Sequence, residues 1–473
     1  MQLPEEFIRY TREMMGETLW ARYSMGMEAT PPTSVRVNPW KTEAMNIHPL
    51  LEPQPVVWSP WGYYLSHRPN FTFDPLLHAG AYYVQDAASM FVDHVIRQYV
   101  SRPVTMLDLC AAPGGKSIAA ITSLPEGSLL FANEPMPTRA QILSENLQKF
   151  GHPDVVVTNS HAGDYARTGL MFDVILTDVP CSGEGMFRKD NGAVEEWSLQ
   201  NIEKCRRLQR EILAEIWPCL SPGGLLLYST CTLNTREDEE NVLWAIEELG
   251  ARLLPVDTRE SWGITPSLSS VLDGPVYRFI PGVTKSEGLF LALLRKDEDA
   301  TPHTAMPSAT KKMKGKPQKG RMGGGLEMLH DWIDIKETML AETGNKVFGI
   351  PARWAATYEA AARLKVIHAG ICMAERKGND LVPHSSLALS LALRRGQFAE
   401  ADVDYSTAIT YLRKEAVTLP PQTLRGYVLL TYKGHPLGFV KNLQNRANNL
   451  YPQEWRIRST HIPDNDNEIM IQS

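Results

Sequence analysis

The alternation of strand and helix patterns across the middle of this chain predicts an α/β fold built on a doubly wound, mostly parallel sheet. Two observations carry that expectation. From Val104 onward, short apolar runs suited to strands buried on both faces recur between segments of helical period. The carboxyl ends of four of those runs carry polar or thiol-bearing residues, and that edge is where such sheets bind ligands. An N-terminal α+β extension (1–100) and a C-terminal α+β region (326–473), ending in a small β-rich module, are expected to flank the core (101–296), with a basic flexible linker over 297–325.

Residues 1–100 mix short helical patterns with Pro- and aromatic-rich loops such as Trp58-Ser59-Pro60-Trp61-Gly62-Tyr63-Tyr64, whose rings either pack or stack on a ligand. Val104–Leu109 reads as the first core strand, followed by a Gly-containing turn and a helix from about Lys116. Ser128–Asn133 is a strand and Thr138–Phe150 a helix. Val155–Thr158 and Phe172–Asp178 are strands. A long helix is expected between Val194 and Leu220, closed by Ser221-Pro222-Gly223-Gly224. Leu225–Ser229 is the fifth strand. The next helix covers about Thr235–Leu249, with Asn234, Thr235 and Asp238 as candidate caps. Late strands fall near Arg252–Val256, Tyr277–Ile280 and Leu289–Leu294. Residues 311–321 hold Lys311, Lys312, Lys314, Lys316, Lys319 and Arg321 without an acid. Near the end, Tyr427–Thr431 and Leu437–Val440 read as a hairpin.

A length of 473 residues calls for two to four domains. The 43% hydrophobic and 22% charged composition is that of a water-soluble globular protein, and no apolar run approaches the ~18 residues of a membrane span. Met1–Tyr10 has no basic stretch followed by an apolar one, so residence in the cytoplasm is expected. Six cysteines without a C-x-x-C pair predict free thiols and no metal site. The net charge of −6 argues against a polyanionic partner, but it is unevenly spread. Residues 301–473 carry 23 Lys and Arg against 16 Asp and Glu, which fits contact with phosphate.

The candidate site is assembled from strand ends. After the first strand comes Asp108-Leu109-Cys110-Ala111-Ala112-Pro113-Gly114-Gly115-Lys116-Ser117. Two glycines at a strand-to-helix turn let backbone approach a ligand, and the helix start offers free N–H groups. The spacing is neither that of the dinucleotide fingerprint, which disfavours a nicotinamide oxidoreductase, nor that of a phosphate loop. The second strand ends Asn133-Glu134, where an acid either accepts both ribose hydroxyls of an adenosine or caps the following helix. The fourth and fifth strands run into Asp178-Val179-Pro180-Cys181 and Thr230-Cys231-Thr232. Buried structural thiols are the usual reading of cysteines and suit Cys205 and Cys219 in the long helix. That reading suits Cys181 and Cys231 less well, because both lie at the ligand edge.

The stretches Cys110–Lys116, Asp178–Gly185 and Tyr228–Thr232, with Val35-Arg36-Val37-Asn38 and Tyr83-Val84-Gln85-Asp86-Ala87-Ala88-Ser89, resemble the signature segments of the RNA cytosine-5 methyltransferases. The resemblance is strong across about 30–295. It is greatest to members with a C-terminal extension ending in a PUA-like module that act on small-subunit ribosomal RNA. It implies a class I Rossmann-like methyltransferase fold, S-adenosylmethionine as cofactor and RNA as partner, either as 16S ribosomal RNA or as the 30S subunit, with the protein a monomer. Cys110, Ala111, Ala112, Pro113, Gly114, Gly115 and Lys116 would cradle the methionine part of the cofactor, Glu134 would hold its ribose, and Arg139 would support it. Asp178 would hold the cytosine edge and also line the cofactor site, with Lys116 ordering it. Cys231 would be the nucleophile and Cys181 would assist release. The family's adenine-contacting Asp is missing: His161 stands at its spacing, and Asn159 or Asp164 are the candidates to replace it.

Cysteine chemistry suits that reaction. Carbon 5 of cytosine becomes enamine-like only after a thiolate adds to carbon 6. A free thiol with a pKa near about 8.5 is mostly protonated at neutral pH, so the site has to favour the thiolate. Other readings stay open at the level of sequence. One is the same chemistry on transfer RNA. Another is a DNA cytosine methyltransferase, which would attack with Cys181. The last is a non-catalytic RNA-binding factor of ribosome assembly.

Overall fold

The computed structural model describes residues 3–42, 47–299, 326–459 and 470; most of the linker predicted over 297–325 lies outside them. The N-terminal part begins with helix α1 (Glu5–Glu28), kinked at Gly16, and continues with strands β1 (Thr33–Val37), β2 (Gln54–Pro55) and β3 (Gly62–Leu65). Helix α2 (Pro75–His78), strand β4 (Tyr82–Val84) and helix α3 (Phe91–Tyr99) complete it. Its strands form an antiparallel sheet in the order β2-β3-β1-β4.

The core follows in strand–helix alternation. Its elements are β5 (Thr105–Asp108), α4 (Gly115–Ile121), β6 (Leu129–Asn133), α5 (Pro137–Phe150), β7 (Val155–Thr158), α6 (Ala162–Tyr165) and β8 (Phe172–Asp178). Next come α7 (Asn191–Glu196), α8 (Leu199–Ile216), β9 (Leu220–Thr230), α9 (Glu239–Leu249), β10 (Arg252–Leu254), β11 (Val276–Phe279) and β12 (Leu289–Arg295). The C-terminal part contains β13 (Thr338–Thr343), β14 (Lys346–Pro351), α10 (Ala355–Ala361), β15 (Val366–Ala369), β16 (Ile371–Lys377), β17 (Asp380–Pro383) and α11 (Ser385–Leu389). It ends with β18 (Ala399–Asp402), α12 (Tyr405–Leu412), β19 (Gly426–Tyr432), β20 (His435–Asn442) and β21 (Ala447–Asn449).

Among the described residues the central sheet has nine strands in the order β10-β12-β9-β8-β5-β6-β7-β15, with β11 paired to β12. Strands β7, β6, β5, β8 and β9 are mutually parallel. The order reverses between β5 and β8, which makes their carboxyl ends the crevice of a doubly wound sheet. Apolar residues on one face pack against α3, α4 and α5, and those on the other against α8 and α9. The sheet takes its last strand, β15, from the C-terminal part, antiparallel to β7. Two further four-stranded sheets, β13-β14-β16-β17 and β18-β19-β20-β21, form the rest of that part, and the expected hairpin is β19–β20.

Three local expectations are corrected. The long helix is two helices, because Ser198 caps α8 by accepting from Asn201 N while Trp197 turns extended and buries its ring, donating Nε1–H to Glu184 at 2.9 Å. Ser221-Pro222-Gly223-Gly224 does not close that helix, which ends at Ile216 before a short 3-10 turn containing Pro218. The four residues lie inside β9, as a bulge between the pairs Phe172↔Leu220 and Val174↔Leu225. The helix expected from Thr235 begins at Glu239. Asp238 does not cap it, because its carboxylate accepts from Thr230 Oγ1 at 2.7 Å and from Arg278 at 3.0 Å.

The N-terminal motif turns out to be a fastening. Arg36, wholly buried, donates to Asp93 of α3 at 2.6 Å and to Ser59 at 2.9 Å. Asn38 donates to the carbonyls of Gly80 and Phe150, tying β1 to the end of α5. Trp58 and Tyr64 are buried, with Trp58 Nε1–H on the Ala87 carbonyl at 2.8 Å, so both rings serve packing and are closed to base stacking. Trp61 and Tyr63 are half-buried. Among the described residues no helix is long and apolar enough to cross a membrane.

Two buried charges yield predictions. Arg278 of β11 faces Asp238 and Glu239 at 3.0 and 2.8 Å, all three fully buried. Arg278→Leu strands two carboxylates in the interior and is expected to cost about 3–5 kcal/mol in urea unfolding; an unchanged midpoint would contradict this. Asp108, at the end of β5, accepts from Ser117 Oγ at 2.6 Å. Burial pushes its carboxyl up from 3.8 to about 7. A raised carboxyl favours the folded state most below pH 4, and that contribution is lost as the pH rises through 7. Stability should therefore fall between those values in the wild type, and Asp108→Asn should flatten that part of the profile.

Candidate active site

The loops after β5, β8 and β9 meet at the reversal of strand order, and their side chains are joined by short polar contacts. Lys116, in the first turn of α4, places Nζ 2.8 Å from Asp178 Oδ2 at the end of β8. Ser229, near the end of β9, donates Oγ–H to Asp178 Oδ1 at 2.8 Å. Both carboxylate oxygens are thus held, and the aspartate bridges all three strands. Burial works against the Lys116 charge, but Asp178 outweighs it and keeps the ammonium above its usual pKa.

The two predicted cysteines lie together. Cys181 Sγ is 3.1 Å from Cys231 Sγ, and both residues are partly accessible. Their loops are clamped below: Gly185 N–H donates to the Cys231 carbonyl at 2.7 Å, and the Ser182 and Thr232 hydroxyls meet at 2.9 Å. A Cβ at Gly185 would come within 2.7 Å of the Cys231 carbonyl oxygen, so only glycine fits. Under them lies Glu237, which accepts from Ser182 N, Asn234 Nδ2 and Gln209 Nε2; burial pushes it up to about 7. The hydrogen bond to Cys231, together with burial, pushes the Cys181 thiol well above its usual pKa. Cys205 is partly exposed on α8, and Cys219 and Cys372 are buried in the fold; none of these joins the pair.

The other predicted residues line the neighbouring stretch of the same edge. Gly114, at φ +115°, begins α4 in a conformation that suits glycine, and the run Cys110–Lys116 wraps the turn. Asn146 donates to the Pro113 carbonyl at 2.8 Å and Arg139 to the Ala112 carbonyl at 2.9 Å, so the turn is braced from α5. Glu134 is 2% exposed. One of its oxygens accepts from Met136 N at 3.0 Å, and the other lies 3.4 Å from Arg139. The acid thus stands at the carboxyl end of β6 and holds the N–H of Met136, the residue before α5, without capping the helix itself.

Of the three candidates for an adenine contact, none has a free hydrogen-bonding group aimed inward. Asn159 spends its amide on the carbonyls of Glu134 and Pro135 and on Lys365. Asp164 caps its own helix by accepting from His161 N and pairs with Arg167, and His161 is exposed. Sequence reading missed Ser229, Glu237 and Met136. Ser229 was within reach, since it lies in the Cys231 motif itself; Glu237, beyond that motif, and the 54% exposure of Met136 beside a buried acid have no sequence signal.

Three family models match the chain: 16S rRNA methyltransferase RsmB/F over residues 101–295, the N-terminal domain of 16S rRNA methyltransferase RsmF over 3–87, and the methyltransferase RsmF PUA domain over 398–457. The chain is similar to the ribosomal RNA small subunit methyltransferase F of Enterobacter sp. (strain 638), 27% identical over 95% of each chain. It is also similar to the protein of that name from Escherichia coli O6:H1, 28% identical over 95% of this chain and 96% of the other. Among solved structures, a methyltransferase homologue from Pyrococcus horikoshii aligns with a TM-score of 0.50 and 24% identity over 62% of this chain and all of that one. The NSun6 of the same organism, solved with SFG, aligns with a TM-score of 0.53 and 20% identity over 63% of this chain and 99% of that one. These two share the fold of the core. Matched from its N-terminal extension through its core to its PUA domain, the chain belongs to the RsmB/F family of methyltransferases.

Proposed function

We propose that this enzyme transfers a methyl group from S-adenosylmethionine to carbon 5 of cytosine in RNA, with 16S ribosomal RNA as substrate, through a covalent bond between Cys231 and carbon 6. The observation that carries the reading is the cysteine pair at 3.1 Å, at the same group of strand ends as the Lys116–Asp178 ion pair. The names of the relatives supply the substrate class.

The cofactor fits the residues present. Asp108 Oδ1 is buried without a partner, and exposed Met136 offers apolar surface beside Glu134. Cys110–Lys116 would hold the methionine part, Glu134 and Arg139 the ribose. When bound, S-adenosylmethionine supplies an electrophilic methyl group.

The protein's own groups do the rest. The S–H of Cys181 and the nearby Lys116 ammonium both favour negative charge on the Cys231 sulfur. Asp178, fixed by Lys116 and Ser229, holds the polar edge of the base so that carbon 6 faces that sulfur. Attack forms the Sγ–C6 bond and moves the electron pair to carbon 5, which takes the methyl group. The proton on carbon 5 must then leave and the Sγ–C6 bond must break. Cys181, 3.1 Å from Cys231, is placed to take the carbon-5 proton as a thiolate once its own proton has passed to water, and the electron pair of that C–H bond then expels the Cys231 sulfur from carbon 6.

RNA reaches such a site most easily as an unpaired strand. A cavity of about 1250 Å³ between the N-terminal part and residues 282–286 offers a route. Arg68, Arg188, Lys189 and Lys285 line it with Asp86, and Glu287 behind the wall pairs with Arg188 at 2.7 Å and Lys189 at 3.5 Å. Gln85, on its wall, donates to the Gly115 carbonyl at 2.9 Å and so adjoins the site. A ribosomal substrate places the enzyme in the cytoplasm, where it acts as a monomer on ribosomal RNA or the 30S particle.

With purified enzyme, labelled cofactor and small-subunit RNA, Cys231→Ala is expected to lose methyl transfer to background. Cys181→Ala should accumulate a protein–RNA adduct that survives a denaturing gel. Full turnover by Cys231→Ala would sink the proposal, and normal turnover by Cys181→Ala without adduct would remove Cys181 from release. Lys189→Glu and Lys285→Glu should each weaken RNA binding and reduce its salt slope by about 1, with cofactor affinity unchanged. An unchanged slope would show that RNA takes another path.

A further inference from the structure

We infer that Lys365, which the C-terminal part contributes, is a positioning residue for the adenosine half of the cofactor. The inference rests on the proposed role of Glu134 at the ribose. Strand β15 lies antiparallel to β7, with Val366 opposite Thr158, and this register delivers Lys365 to the loop that follows β7. There its Nζ donates to Asn159 Oδ1 at 2.7 Å. Two backbone contacts flank that bond: Asn159 N–H donates to the Lys365 carbonyl at 2.9 Å, and Lys365 N–H to Ser160 Oγ at 3.1 Å.

Asn159 passes the constraint on. It is 9% exposed, and its Nδ2 donates to the carbonyls of both Glu134 and Pro135 at 2.8 Å. Those two carbonyls flank the turn that aims the Glu134 carboxylate. An inverted Asn159 amide would set oxygen against two carbonyl oxygens and nitrogen against an ammonium, so Lys365 selects the one orientation that holds the turn. The bond to Asn159 is charge-assisted and is the only side-chain bond to its Oδ1 among the described residues. Asn133 holds the backbone of Ser160 from within the core, but the Asn159 side chain takes its orientation from a residue about two hundred positions later in the chain.

The clamp between the two parts does not rest on Lys365 alone. Arg353 pairs with Asp154 at 2.6 Å, Trp354 Nε1–H donates to the same carboxylate, and Gly370 N–H donates to the Val155 carbonyl at 3.0 Å. Removal of the ammonium should therefore leave β15 docked and loosen only the loop.

The test uses the full chain, with S-adenosylmethionine binding by calorimetry and steady-state kinetics on RNA. Lys365→Met is expected to raise the cofactor Kd and KM roughly three- to tenfold, with kcat at saturating cofactor and the KM for RNA unchanged. Lys365→Arg should restore most of the affinity. Asn159→Ala should match Lys365→Met, and the double variant should add nothing to either, since the two act in series. Wild-type cofactor affinity in Lys365→Met would overturn the inference. So would full additivity in the double variant, or a loss of kcat and melting temperature without a change in cofactor affinity. A wild-type chain that binds no S-adenosylmethionine would overturn the proposed function instead.

Discussion

Asp178 is the point on which the site depends. Its two oxygens receive the Lys116 ammonium from the turn after β5 and the Ser229 hydroxyl from β9, so one carboxylate binds the three strand ends that form the crevice. The contact is enclosed enough for the ion pair to outweigh desolvation of the lysine. Everything proposed for catalysis follows from this anchor. It fixes the Lys116 ammonium and the Asp178 carboxylate at the strand ends that also carry Cys181 and Cys231. Three residues later, the loop after β8 brings Cys181 to Cys231.

Around that anchor the protein spends buried charge on rigidity. Arg278 holds Asp238 and Glu239 at the start of α9, and Asp238 in turn holds Thr230, next to Cys231. Arg36 and Asn38 fasten the N-terminal sheet to α3 and α5. Such networks are costly to desolvate and harmful to break, which suits a scaffold that has to hold two sulfur atoms at fixed separation. The C-terminal part joins the same scheme through β15, so the cofactor edge of the sheet is completed by residues far away in sequence.

The sequence made the core strands legible because parallel strands buried on both faces read as unbroken apolar runs, and Val155–Thr158 and Phe172–Asp178 match to the residue. The cysteine pair was legible because its motifs stand at strand ends that the topology must bring together, and the Lys116–Asp178 contact because the family resemblance implied it. Other features were not. Ser221-Pro222-Gly223-Gly224 has the composition of a helix stop yet forms a bulge, since a bulge needs the same backbone freedom. Ser198 as a cap was hidden inside a helical pattern that continues on both sides of it. The pairing of β15 with β7 joins segments some two hundred residues apart, and nothing local encodes it. The site roles of Asn159 and Asp164 were left open by sequence, and here both side chains serve the loop itself.

The central claim is covalent methylation of ribosomal RNA through Cys231. Bisulfite sequencing of total RNA from host cells that lack the gene, complemented with either the wild-type or the Cys231→Ala allele, tests it most directly. The account predicts that one or a few cytosines of the small-subunit ribosomal RNA are protected by the wild-type allele and unprotected with Cys231→Ala. Identical protection with both alleles, each yielding folded protein, would contradict it.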